Sequence, residues 1–320
     1  MASPYLGTNT ILSLSLPESS YGTEAARAIS GVVRSVSLHK KVTNAKIENL
    51  SSYLAGALEM AQTDAMVEGD TEIDLCTVGN MLGTLLMAAF GAVAEGGSVG
   101  AYTHTFTMAE ALKSFSAVFT RGSAGATEEL YGLVAGKTVI KLDARGVCSI
   151  TTSWMGKNAG ARGAASPSVP ALSSSRAYVL GHMVGDFTFN SVAYTCKSIT
   201  ITIDNKVEQT KEHGSILPSD AVRGDRAEVT IDIELNKRVN TLYTANLAGT
   251  TAAWSFSITG SSSTSLAFSG PAAFIETHDD AISKNGIVIE KLKLTCLGSS
   301  GSAGAISAVL TNADATYDLS

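Results

Sequence analysis

Along Ile199-Thr-Ile-Thr-Ile203 an apolar β-branched residue alternates with threonine. Only a strand, whose successive side chains point to opposite faces, buries one of those sets while wetting the other. The same period of two runs through Val229 to Leu235, Trp254 to Ile258, Ile287 to Leu297 and Ile306 to Leu310. Val139 to Leu142 and Val147 to Trp154 flank Arg145-Gly146, and Ile287 follows Asn285-Gly286, so both glycines are expected in hairpin turns. The six prolines (Pro4, Pro17, Pro167, Pro170, Pro218, Pro271) fall outside the cores of these runs, as strand ladders require. Helical spacing occurs twice. Val78, Met81, Leu82, Leu85, Leu86, Ala89 and Phe90 recur at i, i+3, i+4, with Thr77 placed as an N-cap and Gly91 as a stop. A weaker helix is expected from Asn236 to Leu247, before Gly249. The expected class is mainly β and antiparallel, a sandwich or barrel with a flanking α-helix.

Composition narrows what such a chain does. Its 320 residues, at ~150 per domain, leave room for about two domains. With 45% hydrophobic and 16% charged residues it has a core to bury and is not a disordered chain. A net charge of -6, from 23 basic and 29 acidic residues, disfavours a nucleic-acid grip or a polybasic membrane anchor. Leu75 to Ala94 carries no charge, but Asn80, its glycines and the flanking Asp74 and Glu95 favour a buried helix over a membrane span. No basic n-region marks a secretory signal in MASPYLGTNTILSLSLPESS. Cys76, Cys148, Cys196 and Cys296 lie far apart, which fits free thiols rather than a zinc site or a disulfide framework.

Gly156 to Ser175, GKNAGARGAASPSVPALSSS, has no periodicity and reads as a linker or long loop. The halves around it look alike. Val36-x-Leu38-x-x-Lys41-Val42 matches Ile201-x-Ile203-x-x-Lys206-Val207, and Ile73-Asp74-Leu75 before the strong helix matches Ile231-Asp232-Ile233 before the weak one. After the helices, Thr105-Phe106-Thr107 matches Ser255-Phe256-Ser257. The repeated order of elements points to a tandem duplication. The expected division is an N-terminal arm (1–19), a first domain (20–157), a linker (158–175), a second domain (176–312) and a C-terminal tail (313–320).

The motifs of catalysis fail on spacing or geometry. Tyr131-Gly-Leu-Val-Ala-Gly-Lys-Thr138 resembles a phosphate loop, but it has three residues rather than four between its glycines and leads into a strand instead of a helix. Glu276-Thr-His278-Asp279-Asp280 offers metal ligands, yet reads as a solvated acidic turn between strands with one histidine. Ser37 and Lys40 have acyltransferase spacing but would point to opposite faces of a strand. His39, His104, His182, His213 and His278 each stand alone. No catalytic, cofactor-binding or metal residue is assigned, and no cofactor is expected. Repeated strands and long polar loops are instead materials for assembly, since an exposed strand edge is a joint in an oligomer.

In this setting a family likeness becomes specific. Gly69-Asp-x-Glu-Ile-Asp74 leads to Gly79-Asn-Met-Leu-Gly-Thr-Leu-Leu-Met-Ala-Ala-Phe-Gly91, followed by Tyr102-Thr-His-Thr-Phe-Thr107, Lys113-Ser-Phe-Ser-Ala-Val118 and Glu129-Leu-Tyr-Gly132. The second half has Ser198-Ile-Thr-Ile-Thr-Ile-Asp-Asn-Lys-Val-Glu208, Leu217-Pro-Ser-Asp-Ala-Val-Arg-Gly-Asp225 and Ile306-Ser-Ala-Val-Leu-Thr-Asn312. In that order, over about residues 20 to 312, they resemble the major tail tube protein of long-tailed, siphovirus-type bacteriophages. The Gly156 to Ser175 insert has no counterpart there, and no immunoglobulin-like domain follows Asn312. The resemblance implies the tail tube fold, here in two tandem copies, and a structural virion protein rather than an enzyme. It would be made in the host cytoplasm and would polymerise as stacked rings into the conduit for genome ejection. Six tube domains per ring imply three such chains with pseudo-sixfold symmetry, or six chains if one half is mere elaboration. Tip and terminator proteins would sit at the tube ends. The tape measure protein and then DNA would fill an acidic lumen without specific binding, and no membrane is involved. Candidate ring-to-ring contacts are Met1 to Ser20, Asn44 to Gly69 and the insert. The alternative is a monomeric or surface-layer β-sandwich that binds cells or glycans.

Overall fold

A computed structural model describes residues 10–47, 59–78, 81–121, 126–160, 163, 170–172, 177–260, 264–281, 286–298 and 304–317. The class is mainly β. The first half contains β1 (Ile11–Pro17), β2 (Arg27–Val36), β3 (His39–Ile47), β4 (Glu59–Asp74), α1 (Met81–Phe90), β5 (Gly91–Ser98), β6 (Ala101–Met108), β7 (Phe115–Arg121), β8 (Ala126–Asp143), β9 (Ser149–Gly156) and β10 (Asn158–Ala159). The second contains β11 (Phe187–Phe189), β12 (Val192–Tyr194), β13 (Cys196–Asp204), β14 (Val207–Thr210), β15 (Asp220–Arg223), β16 (Glu228–Asn236), α2 (Thr241–Leu247), β17 (Thr251–Thr259), β18 (Ser265–Ala281), β19 (Ile289–Leu297) and β20 (Ser307–Asn312).

Antiparallel ladders run β1-β7-β8-β9-β4-β2 in the first half, and β1–β2 closes the ring. The order β11-β17-β18-β19-β16-β13 repeats it, with β11–β12 standing where β1–β2 stands. Irregularities fall at matching places. The β8–β9 ladder slips between Ala135 and Lys137, and β18–β19 slips between Ile275 and Thr277. The β2–β4 ladder slips between Val33 and Ser35, and β13–β16 slips between Cys196 and Ser198. Each of the latter slips presents one cation to one carboxylate: Arg34 lies 3.5 Å from Glu72, and Lys197 lies 3.4 Å from Glu234. These ladders set Val36 against Ile199 and Ile73 against Leu235, not against Ile201 and Ile231. They also place Phe256 with Phe119 of β7 rather than Phe106 of β6. A period-two pattern slides by two residues without changing face, so alternation alone leaves the register open.

Three sequence expectations change. Residues 1–9 lie outside the described set, but Ile11–Pro17 is no arm: β1 pairs on both sides and buries Leu12 and Leu14. The C-terminal residues are likewise not a loose tail, because Tyr317 is fully buried against α1 and its hydroxyl contacts Asn312 and Asp314. The second helix has seven residues, Thr241–Leu247, rather than beginning at Asn236, which closes β16. The N-cap expected at Thr77 would engage residues 79–80, which lie outside the described set; its hydroxyl lies 3.0 Å from the Thr264 hydroxyl. Most of the insert falls outside the described residues, though Asn158 and Ala159 form β10 on β8.

All ten residues of α1 are buried, and Gly91, at φ +92, ends it in a conformation other side chains resist. Around β1, Glu18 is a buried hub. Its carboxylate accepts from the Gly22 and Gly132 N–H groups and from the Ser114 and Ser116 hydroxyls at 2.6–2.9 Å. Buried charge is tolerable only with such saturation.

Two measurements check this packing. A β-carbon added at Gly83 would overlap the Tyr317 ring, so Gly83→Ala should lower urea stability by about 1–3 kcal/mol. Combined with Tyr317→Ala, the loss should fall short of the sum, because the overlap has gone. Glu18→Ala should cost roughly 2–4 kcal/mol, since each buried donor left dry costs about 1–3 kcal/mol.

Candidate functional site

The fold places one strand edge of each half against the other. Ser198 to Asp204 of β13 pair with Asp143 to Lys137 of β8, which welds the halves into one sheet. From edge to edge that sheet runs through β2 and the start of β3, then β4, β9, β8, β13, β16, β19 and β18. Each half contributes four strand positions. One face is apolar: Ile140, Ile150, Ile199, Ile201, Ile231 and Leu294 are buried. The other face is largely polar, with Val139 and Met155 as exceptions, because every strand keeps the same alternation across the weld. Rows such as Lys141–Thr200–Asp232–Lys293 cross the junction on it.

Carboxylates outnumber cations on this polar face. Glu68, Asp70, Glu72 and Asp74 come from β4, and Asp204, Asp232, Glu234 and Asp279 from the second half. Several of its cations are tied to neighbouring acids. Lys41 lies 2.6 Å from Glu68, Lys293 lies 2.8 Å from Glu276, and Arg34 bonds Asp74 as well as Glu72. Hydrogen bonding to Glu68 raises Lys41 above the ordinary lysine range, and that to Glu276 does the same for Lys293. At the weld, burial opposes ionisation of Asp204. The Lys206 ammonium and N–H, with the Lys137 charge, outweigh it and hold the carboxyl below its ordinary value. Exposed pairs of this kind contribute only about 0–1 kcal/mol each, so they orient side chains more than they stabilise the sheet.

A second contact reinforces the weld. Asn205 is fully buried beside it, and its amide donates to the Ala89 carbonyl at the C-terminal end of α1 and to Ala135 O, at 2.9 and 3.0 Å. Arg223 donates to Asn205 Oδ1 and Ala109 O. Strand β20 pairs with β6 as well as with β18. The first half's helix, packed by its own strands, is thus also touched by Asn205 from beyond the weld.

The sequence's chemical candidates are not assembled into a catalytic site. Gly132 through Thr138 lie inside β8, so Lys137 stands on a strand with no helix N-terminus beside it. Glu276 to Asp280 are not a turn, as expected from the sequence, but the last stretch of β18. There His278 meets Glu290 at 2.5 Å, and Asp280 lies near enough to form a three-ligand group. Lys237 bonds Asp280 and already supplies that corner with positive charge. Glu290, from the facing strand, was invisible to a reading of local spacing. Ser37 accepts from the Asp70 N–H while Lys40 reaches Asn158, so the two do not act on one another. Cys76, Cys148, Cys196 and Cys296 form no disulfide with one another. A cavity of ≈ 70 Å³ under α1, lined by Ile73, Leu75 and Met81, is small beside the ~300 Å³ of an ordinary cofactor site. The larger cleft of ≈ 730 Å³ beside β15 is open and gathers scattered charges. Among the described residues, no helix is long and apolar enough to cross a membrane.

No individually curated protein matches the sequence. A family model does: that of the phage tail tube protein, matching residues 7–296 and so both halves and the weld between them. The chain belongs to the phage tail tube protein family.

Proposed function

We propose that this chain polymerises into stacked rings forming the tail tube, the conduit through which the genome leaves the virion, and that each chain supplies two tube domains. The observation that carries this reading is the welded eight-position sheet, with the same ladder order on either side of β8–β13. A sheet with two like units and two outer edges is a segment of a larger barrel. Three chains then complete a ring of six domains.

The polar face is assigned to the lumen. Its excess of carboxylates repels phosphates, so DNA passes without adhering, and the tape measure protein precedes it there. Tip and terminator proteins cap the two ends. Ring-to-ring contact is assigned to the long hairpin of β3 and β4, which pair from His39↔Glu68 to Ile47↔Glu59. Nine residues of strand reach about 30 Å, and the connecting residues 48–58, ENLSSYLAGAL, are rich in apolar side chains. Burial of β1 removes Ile11–Pro17 from this role.

Negative-stain microscopy and native mass measurement test the proposal. Hollow tubes and rings of three times 33.0 kDa are expected. Monomers would favour the surface-layer reading, and a six-chain mass would overturn the trimer. Replacing residues 48–58 with a Gly-rich turn should leave rings but abolish tubes; tubes of normal length would remove the hairpin from the stacking contact. A reconstructed lumen lined mainly by Lys and Arg would overturn the repulsion argument.

A further inference from the structure

The weld inside the chain has a vacant counterpart at each outer edge of the sheet. Beyond Phe274, β18 pairs only with β19, so Glu276 to Ala281 carries no ladder on its other side among the described residues. At the opposite edge, β1 reaches Val32 and no further among the described residues. Among those residues, Ser35 to Lys41 pairs in a ladder with β4 alone, through Ser35↔Glu72, the Ser37 N–H to Asp70 O bond and His39↔Glu68.

The matched ladder slips say how these edges meet. Thr277 stands where Lys137 stands, immediately after the slip, and Ser35 stands where Ser198 stands. Inside the chain Thr202 faces Val139 and Asp204 faces Lys137. Transferred to the vacant edges, the same register sets His39 against Asp279 and Lys41 against Thr277. Building on the reading of the chain as a tube subunit, we infer that Thr277 to Ala281 of one copy pairs antiparallel with Ser37 to Lys41 of the next copy, in the register His39↔Asp279.

Two further observations fix the occupant as a second copy of this chain. First, the charges are complementary: one edge carries Glu276, Asp279 and Asp280, and the other His39, Lys40 and Lys41. The internal weld has the opposite polarity, with Lys137 and Lys141 on β8 facing a strand that ends in Asp204. The two joints are therefore not interchangeable, and two β18 edges repel each other. Second, the helices differ in cover. All of α1 is buried, packed by first-half strands with Asn205 and Tyr317 reaching it from beyond the weld, whereas Tyr243 and Leu247 of α2 and the preceding Val239 are 44%, 71% and 53% exposed. Tyr243 packs on His278, which places this apolar patch next to the vacant β18 edge, where the following copy's first half would cover it.

Disulfide trapping tests the register. Directly opposed strand residues lie about 4.5–5.5 Å apart at Cα, within disulfide reach, whereas a two-residue offset exceeds it. Oxidised rings of His39→Cys/Asp279→Cys should become covalent trimers on a denaturing gel, while Lys41→Cys/Asp279→Cys rings should stay monomeric. Equal cross-linking of both pairs, or none in rings visible by microscopy, would overturn the joint while leaving the tube reading intact; absence of rings from the unaltered chain would overturn both. Asp279→Lys/Asp280→Lys should lose rings, and adding His39→Glu/Lys40→Glu should restore them. A folding defect would not be rescued by the second charge change, so failure of rescue in a chain with an unaltered far-UV spectrum also counts against the joint.

Discussion

The β8–β13 ladder is the contact on which the rest of the structure depends. Backbone hydrogen bonding across it makes two closed ladder rings into one sheet with a single apolar face and a single polar face. Without it, the Ile199 and Ile140 rows would be rims of separate units, and a strand edge would be exposed on each side. An edge is satisfied only by another strand, so joining two leaves the problem intact at the outer ends. That geometry is what makes a family of conduit-forming proteins physically natural for this chain.

Polar groups at the ends of the weld hold it in one register. Apolar rows alone tolerate slippage by two residues, but buried hydrogen bonds do not. Asn205 spans two carbonyls from different elements, and Arg223 fixes its other end. Glu18 does similar work inside the first ring, where four donors from separate segments converge on one carboxylate. Removing either would leave several partners without water or protein to bond.

The two halves also differ where their surroundings differ. Ile140 and Ile150 oppose each other and are buried in the first half, while the matching row of the second holds Asp280 and Glu290. The first row lies beside an occupied joint and the second beside a vacant one. Charge at an edge strand opposes indiscriminate pairing with other edges.

Period-two alternation, hairpin glycines and the helical spacing around Leu82 to Phe90 were sufficient to read a mainly β chain with one strong helix, because these are local signals. The ordered run of motifs was sufficient for the family likeness. Register was not legible: Val36 matches Ile199 or Ile201 equally well in alternation, and only hydrogen-bond ladders choose between them. Nor was the role of the termini, since Ile11–Pro17 and Tyr317 are placed by partners more than a hundred residues away. The meeting of His278 with Glu290, and of β8 with β13, depends likewise on which strands pair. The chain's own residues determined which segments are strands and which faces are apolar, through side-chain alternation; tertiary structure alone decided which edges pair, because a strand's backbone groups accept any neighbour that packing brings alongside.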